Sequence, residues 1–221
     1  MISKTRLSLA VIVLGALTAC GGTTVPLPAP GGNVSPGDNL LPSGGSGRLS
    51  LREIGVVSDR LAPGYNAARV TPKASVPISG GANYLGYVAG NLSAANLNSG
   101  QPVGLNGLTE LGVDFGSQRV AGTVGNFVTS TGNQIEGTLN INGTLDRAVN
   151  PSQVTIRGNV NGAINSGTIG VNGTITDNNG RAGGFKGNSG QYIGLPMRGT
   201  VNANGTPGSF ALDGVLGRTS R

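Results

Sequence analysis

Strict alternation of apolar and polar residues between Gln134 and Thr176 constrains this chain more than any other feature. Within this stretch, aliphatic residues or glycines alternate with residues that are mostly Asn, Thr, Gln and Arg. A period of two is typical of β-strands that bury one face. In a helix, residues i and i+2 lie on roughly opposite sides, so a helix would have no single face to bury. The apolar positions of the three segments are Ile135, Gly137, Leu139, Ile141, Gly143 and Leu145; Val154, Ile156, Gly158, Val160 and Gly162; and Ile169, Val171, Gly173 and Ile175.

Glycine content and turn positions extend this pattern to most of the chain beyond residue 77. The chain has 221 residues, of which 41 are Gly, well above the usual share of about 7%. Such a composition is typical of a disordered chain or of a turn-rich all-β protein, and a disordered chain has no need of constant alternation. We therefore predict a single antiparallel up-and-down β-barrel of about eight strands, which leaves no free edge. Further strands are predicted at 83–92, 108–115, 118–127, 183–187, 195–204 and 209–217.

Residues 1–19 have the pattern of an export signal. Lys4 and Arg6 precede an apolar run at 7–17 that is too short to span a bilayer as a permanent helix. The sequence Leu17-Thr18-Ala19-Cys20 resembles the lipobox of bacterial lipoproteins at every position. This resemblance implies that Cys20 becomes the first mature residue, carries acyl chains such as palmitate and anchors the protein to a membrane. Gly21 follows, which by the same resemblance implies the outer membrane. The alternative is an ordinary secretory signal with an unmodified cysteine.

Two segments separate this signal from the predicted barrel. Residues 20–47 are rich in Gly, Pro, Ser and Asn, so they cannot bury enough apolar surface to offset the entropy of ordering. We expect a disordered tether there. Residues 48–76 contain aliphatic residues that fit either a short strand pair or a marginal helix, and we expect a docking arm that packs on the barrel without chemistry of its own.

The residue types exclude several kinds of chemistry. The chain has no His and one Cys, so it has no Ser-His-Asp or Cys-His nucleophile, no histidine metal site and no intramolecular disulfide. The basic residues are scattered along the sequence, whereas a nucleic-acid site gathers them with stacking aromatics. The acidic residues are expected at solvent-facing strand and turn positions, although an acid pair could in principle serve a glycosidase. We predict no enzyme activity, no catalytic residues, no metal, no cofactor and no nucleic-acid partner.

Four motifs occur in order along the predicted barrel. They are Pro77-Ile78-Ser79-Gly80-Gly81-Ala82-Asn83-Tyr84-Leu85-Gly86-Tyr87; Val113-Asp114-Phe115-Gly116 with Val120-Ala121-Gly122-Thr123; Gly184-Phe185-Lys186-Gly187; and Gly214-Val215-Leu216-Gly217. Together they resemble the β-barrel domain of transferrin-binding protein B and its relatives. The chain departs from the family pattern in two places: Leu216 replaces the usual aromatic residue, and residues 191–195 differ from the usual segment. The resemblance implies a barrel over residues 77–221, display at the cell surface and a partner translocon, the surface lipoprotein assembly modulator.

The resulting functional hypothesis is an outer-membrane lipoprotein whose barrel binds an extracellular partner through its loops. The partner would be a host protein or a carrier of haem or iron, and a periplasmic location is the alternative to the cell surface. Loops carry such contacts more often than strands do. We predict the loops at 96–106 and 187–195, with Tyr192 and Gln191 as contact residues; Tyr192 could equally plug a barrel end.

Two other architectures fit part of the pattern. The repeats at Ile141-Asn142-Gly143-Thr144, Val160-Asn161-Gly162-Ala163 and Val171-Asn172-Gly173-Thr174 are typical of a structural or adhesive β-solenoid in the envelope, although their spacing is uneven. A transmembrane barrel also alternates, but it carries aromatic girdles that this chain lacks.

Overall fold

The computed structural model describes Gly37, residues 49–177 and residues 179–220. The predicted signal peptide, the predicted lipid attachment site Cys20 and nearly all of the predicted tether lie outside the described residues. One helix precedes ten strands, and short 3-10 turns occur at Lys73–Ser75 and Asn98–Gly100. The elements are α1 Leu51–Ala67, β1 Gly81–Ala94, β2 Val103–Asp114, β3 Arg119–Thr129, β4 Gln134–Ile135, β5 Gly137–Asp146, β6 Thr155–Ile164, β7 Ile169–Thr174, β8 Gly183–Lys186, β9 Tyr192–Ala203 and β10 Thr206–Arg218.

The strands close into an antiparallel barrel of eight positions, which confirms the predicted fold class. Neighbours around the barrel are β1, β2, β3, β5, β6, β7, β9 and β10, and β10 pairs with β1 to complete the circle. Two short strands supplement these positions: β4 pairs with β3 just before β5 begins, and β8 continues the β7 position by pairing with β6 and β9.

The predicted alternation directs aliphatic side chains into the barrel. Val160 of β6 and Ile193, Leu195 and Met197 of β9 have no exposed surface. Outward positions of β5 and β6, such as Asn140, are exposed and are occupied mainly by Asn, Thr and Arg. A barrel that spans a bilayer instead carries an apolar band on its outer face, in contrast to these polar positions of β5 and β6.

The solenoid alternative is wrong, because the repeats belong to antiparallel neighbours and not to stacked parallel coils. β5 pairs with β6 so that Asn142 lies opposite Asn159, and β6 pairs with β7 so that Asn161 lies opposite Asn172. These strands resemble one another in sequence because each must present small or aliphatic residues inward and polar residues outward.

Each end of the barrel is defined by its connections. The upper end carries the loops 95–102, 130–136 and 165–168 and the turn at 204–205, whereas the lower end carries the turn 115–118 and the loops 147–154 and 187–191.

A segment at 69–80 crosses the lower end. It hydrogen-bonds in turn to Phe185 of β8, to Ser152 in the loop after β5 and to Phe115 in the turn after β2. Val76 of this segment is 2% exposed and belongs to the barrel core. The segment therefore acts as a plug that seals one mouth of the barrel.

Helix α1 packs on the outside of the barrel. It begins with a capping box, in which the Ser50 side chain accepts from the Glu53 backbone and the Glu53 carboxylate accepts from the Ser50 backbone. Ile54, Val57 and Leu61 are at most 2% exposed. Their partners on the barrel surface are outward residues of five strands: Leu85, Tyr87, Leu108, Val128, Tyr192 and Val215.

A β-bulge in β3 brings one of these partners, Val128, outward. Asn126 of β3 has φ of 51°, and the pairing of β2 with β3 shifts between Asn106 and Leu108. An extra residue in one strand reverses the facing of the residues that follow it. Phe127 therefore enters the core, while Val128 lies outside and packs beneath the helix together with Leu108.

Candidate functional site

The two predicted contact loops lie at opposite ends of the barrel. Strands β1 and β9 run in the same direction, and both finish at the upper end of the barrel. The loop that follows β1 is therefore at the upper end, whereas the loop that precedes β9 is at the lower end. They cannot form one continuous contact surface. Both are also shorter than predicted: residues 103–106 belong to β2, with Val103 paired to Leu92, and residues 192–195 belong to β9.

The upper-end loop 95–102 has a defined conformation. The Asn96 side-chain amide donates a 2.7 Å hydrogen bond to the Ala203 carbonyl, which ties this loop to the end of β9. Asn98 and Ser99 have φ of 44° and 55°, so the chain turns sharply there. Their side chains are exposed, as is that of Gln101. This loop therefore presents amide and hydroxyl groups on a fixed backbone.

The other upper-end connections have the same character. The Thr129 hydroxyl bonds to the Thr131 hydroxyl at 2.9 Å, and the Ser166 hydroxyl donates to the Glu136 carboxylate at 3.1 Å. Glu136 is the only charged residue in the four described connections at this end. The upper end is therefore a nearly neutral surface of hydrogen-bonding groups.

Tyr192, a predicted contact residue, lies at the start of β9 with its ring against helix α1. Its ring packs edge-on against Tyr65 of the helix, with the ring centroids 6.4 Å apart. Burial raises the pKa of both phenols, and charge interactions with Tyr87 and Asp213 raise that of Tyr65 further. Tyr192 thus contributes to the attachment of the helix, and neither the predicted loop position nor a barrel-end plug describes its place.

Two glycines make this attachment possible. A Cβ at Gly194 of β9 would lie under 3.0 Å from the Tyr65 hydroxyl, and a Cβ at Gly64 of the helix would lie under 3.0 Å from the Tyr192 hydroxyl. Each tyrosine therefore occupies the space that a side chain on the opposite element would need. The Lys186 ammonium lies 4.1 Å from the Tyr65 ring centroid and donates to the Tyr65 carbonyl at 2.9 Å.

Gln191, the other predicted contact residue, stabilises the lower-end loop 187–191. Its side-chain oxygen accepts from the Asn188 backbone at 3.2 Å, and its carbonyl accepts from the Arg218 backbone at 2.8 Å. The Tyr84 hydroxyl donates to the Gly190 carbonyl of the same loop at 2.7 Å. Burial raises the pKa of Tyr84 to about 12, against the opposing charge of Arg218. This loop is therefore held from inside the barrel.

A groove of about 600 Å³ lies on the outer face of the barrel, beside the start of helix α1. Its walls include Leu49, Leu108 and Phe127, and Glu110 is exposed at one side. The sequence alone does not predict this groove, because one wall depends on the start of helix α1, where the aliphatic residues also fit a short strand pair. The sequence Ser50-Leu51-Arg52-Glu53 fits a capping box and could have located the start of that helix.

The described residues carry few groups suited to catalysis or metal binding. In the ranges 49–177 and 179–220, no three Asp, Glu, His or Cys side chains gather as metal ligands. The same ranges contain no helix with the length and apolar character needed to cross a bilayer. The acidic residues Asp114, Asp146 and Asp177 accept hydrogen bonds from backbone N–H groups of their own turns. The Ser117 side chain, followed by the Ser117 backbone, lowers the pKa of Asp114, and the backbone hydrogen bonds lower the pKa values of Asp146 and Asp177.

Comparison with known proteins finds similarity only among solved structures. No protein-family model matches the chain, and no curated protein matches it. Crystal structures of two mutants of transferrin binding protein B from Haemophilus parasuis Hp5, a vaccine antigen, are similar to 69% of this chain, at 19% and 20% sequence identity. The TM-score is 0.46 in both cases, and the matched part covers 29% and 28% of those proteins. The chain therefore spans less than a third of the length of these structures.

Proposed function

We propose that this protein is a lipoprotein of the outer membrane that binds an extracellular protein through the upper end of its barrel. The acyl chains on Cys20 would hold it at the membrane, and display at the cell surface would require a translocon. The barrel would serve as a rigid support, and the connections at 95–102, 130–136, 165–168 and 204–205 would make the contact.

The filled interior of the barrel is the observation that carries this proposal. Val88, Val124, Ile156 and Leu216 have no exposed surface and meet in one apolar core. Barrels that carry a small molecule keep a cavity among the inward side chains. A core packed in this way leaves the outer surface for recognition.

The upper end suits a protein partner better than haem. Haem iron takes axial ligands such as His, Cys, Met or Tyr, and the described upper-end connections 95–102, 130–136, 165–168 and 204–205 contain none of these residues. A fixed surface of amides and hydroxyls is instead able to hydrogen-bond a protein backbone or polar side chains. Antibody loops use Ser, Gly and Asn in the same manner.

Protease treatment of intact cells tests the proposed location. We expect protease to degrade the full chain on intact cells and to release fragments cut within the upper-end loops. Protection until the outer membrane is permeabilised would place the barrel in the periplasm and would contradict binding of an extracellular partner. A periplasmic protein serves as the control for membrane integrity.

The anchor is tested separately by metabolic labelling with a fatty acid. Cys20→Ser should abolish labelling, whereas Ser43→Cys in that background should not restore it, because only the lipobox position is processed. Labelling that survives Cys20→Ser would contradict the anchor and leave the binding surface open to an independent test. Pull-down with extracellular proteins, comparing the wild type with an Asn98→Arg and Asn133→Arg double variant, then tests the upper end.

A further inference from the structure

The lower end of the barrel gathers basic residues that are far apart in the sequence. The scattered charge expected from the sequence is therefore not the arrangement in the fold. Asp114 and Asp146 are the acidic residues of the turn 115–118, the loops 147–154 and 187–191 and the adjoining strand ends. Asp146 forms an ion pair with Arg157 at 3.1 Å. Lys186 is held by Tyr65, and the other basic residues at this end are Arg69, Lys73, Arg119, Arg147, Arg157 and Arg218.

Exposed aliphatic side chains lie among these charges. Ile78 is 79% exposed, Val149 is 64% exposed and Val70 is 53% exposed. Arg147 donates a hydrogen bond to the Pro77 carbonyl, so the segment that carries Ile78 and the loop that carries Val149 are in contact. Ile78 and Val149 are thus mostly exposed to solvent and contribute little to packing within the domain.

Gly37, which follows the predicted attachment site Cys20 in the sequence, lies at this same end. Its backbone N–H donates a 2.6 Å hydrogen bond to the Arg218 carbonyl at the end of β10, and Gly37 is buried there. A Cβ at this position would lie under 3.0 Å from the Gly217 carbonyl. Gly37, the described residue nearest to Cys20 in the sequence, therefore lies at the lower end of the barrel.

We propose that the lower end is a membrane-docking face that rests on anionic lipid headgroups, so that the upper end points away from the membrane. The arginine and lysine side chains would contact headgroup phosphates, and Ile78 and Val149 would enter the interface between headgroups and acyl chains. Nucleic acid offers phosphates too, but it offers no apolar layer for these aliphatic side chains. The proposal deepens the proposed function, since it states which end of an anchored barrel is free for a partner.

Fluorescence quenching on vesicles tests the orientation. A single fluorophore is attached through Ala148→Cys at the lower end or through Gln101→Cys at the upper end, in the full-length lipidated protein. The vesicles contain phosphatidylcholine, phosphatidylglycerol and a nitroxide-headgroup lipid as quencher. We expect strong quenching of the label at position 148 and little at position 101, with the difference lost in vesicles without phosphatidylglycerol or at high salt.

Charge and apolar variants identify the groups responsible. Each basic residue near an anionic surface contributes about a fivefold preference for the docked state, so Lys73→Gln with Arg119→Gln should lower the ratio of docked to undocked domains about 25-fold. The matched control, Arg52→Gln with Arg60→Gln on helix α1, removes the same charge and should leave the ratio unchanged. Ile78→Ser with Val149→Ser should also reduce docking. Because these are surface positions, we expect circular dichroism to show the wild-type fold in every variant.

The outcomes separate this proposal from the anchor. Equal quenching at positions 148 and 101, stronger quenching at 101, or an effect of the helix control equal to that of the lower-end pair would overturn the docking face. Release of the 148 label by a DNA duplex, at a phosphate concentration equal to that of the lipid, would assign the face to nucleic acid instead. Reactivity of Cys20 with the fluorophore in the unmutated chain would contradict the anchor alone, and docking would then be measured in Cys20→Ser protein.

Discussion

The Tyr65 hydroxyl of helix α1 occupies the space above Gly194 of β9, where a Cβ would lie under 3.0 Å from it. Tyr65 cannot move aside without losing its contacts with Tyr192 and Lys186. We therefore expect Gly194→Ala to lower the free energy of unfolding by about 1–3 kcal/mol, the usual cost of overpacking. Urea denaturation with linear extrapolation measures this loss.

Gly55→Ala is the matched control for that prediction. Gly55 lies within helix α1, and no atom lies within 4 Å of its ideal Cβ position. Alanine is favoured over glycine inside a helix by about 0.5–1 kcal/mol, so this variant should be as stable as the wild type or more stable. Equal destabilisation by both variants would show that close approach at Gly194 is not the cause.

The capping box at the start of helix α1 gives a second prediction. The Ser50 side chain accepts from the Glu53 backbone at 3.3 Å, and the Glu53 carboxylate accepts from the Ser50 backbone at 2.7 Å. Ser50→Ala should destabilise the protein by about 1 kcal/mol, since a backbone donor loses its partner. Ser58→Ala within the same helix should not lower the stability of the protein, because alanine has a higher helix propensity than serine. Hydrogen exchange of the helix amides measures the effect of each substitution. Equal protection of these amides in Ser50→Ala and Ser58→Ala would contradict the role of the cap.

Acid stability gives a third prediction, centred on Asp146. The backbone N–H groups of Val149 and Ala148 lower the pKa of Asp146 below its ordinary value of 3.8, and Arg157 lowers it further. A lowered folded-state pKa means that the carboxylate stabilises the fold fully above pH 3.8 and loses this effect as the pH falls through the folded value.

Asp146→Asn should therefore be less stable than the wild type at neutral pH, and the difference should shrink as the pH falls below 3.8. Urea denaturation over this pH range measures the difference. Asp59→Asn on helix α1 removes the same charge from a position outside the turn and serves as the control. A difference between wild type and Asp146→Asn that does not change with pH would contradict the role of the carboxylate charge.

Tyr84 gives a fourth prediction, at alkaline pH. Burial raises its pKa from 10.0 to about 12 in the folded protein. The neutral phenol stabilises the fold fully below pH 10, and this contribution is lost as the pH rises toward 12. The wild type should therefore lose more stability over this range than Tyr84→Phe does.

Tyr84→Phe should also cost about 1–3 kcal/mol at neutral pH, because the Gly190 carbonyl loses a buried hydrogen-bond donor. Tyr87→Phe, on the outer face of the same strand, is the matched control. The free energy of unfolding between pH 7 and pH 12 distinguishes them. A parallel pH dependence in wild type and Tyr84→Phe would contradict the assignment.

The strands of the barrel were the most predictable part of the structure. Leu139, Ile141 and Leu145 alternate with polar residues because one face of β5 packs in the core while the other meets water. The alternation of apolar and polar residues arises within each strand separately, so the strands can be predicted from the sequence alone. The start of β9 was missed because its outward residues, Tyr192 and Gly194, meet a helix and not water, so the alternation there is less clear.

The arrangement of the surface could not be predicted in the same way. Arg119, Arg147 and Arg218 lie at one end of the barrel only because antiparallel strands return the chain repeatedly to the lower end. The loop at 95–102 follows a strand that runs toward the upper end, and the loop at 187–191 follows a strand that runs toward the lower end. The alternating strand directions therefore place these two loops at opposite ends of the barrel. Helix α1 was uncertain because Gly55, Pro63 and Gly64 weaken its intrinsic propensity, and packing on the barrel supplies the stability that propensity lacks.

The pairing of the first strand with the last also determines how this protein must fold. Val88 of β1 lies opposite Gly214 of β10, so the barrel closes only when residues more than a hundred positions apart meet. Until then both margins of the growing sheet expose unpaired backbone groups, and such distant pairings form slowly. A chain with this connectivity has no stable closed form before its last strand is available.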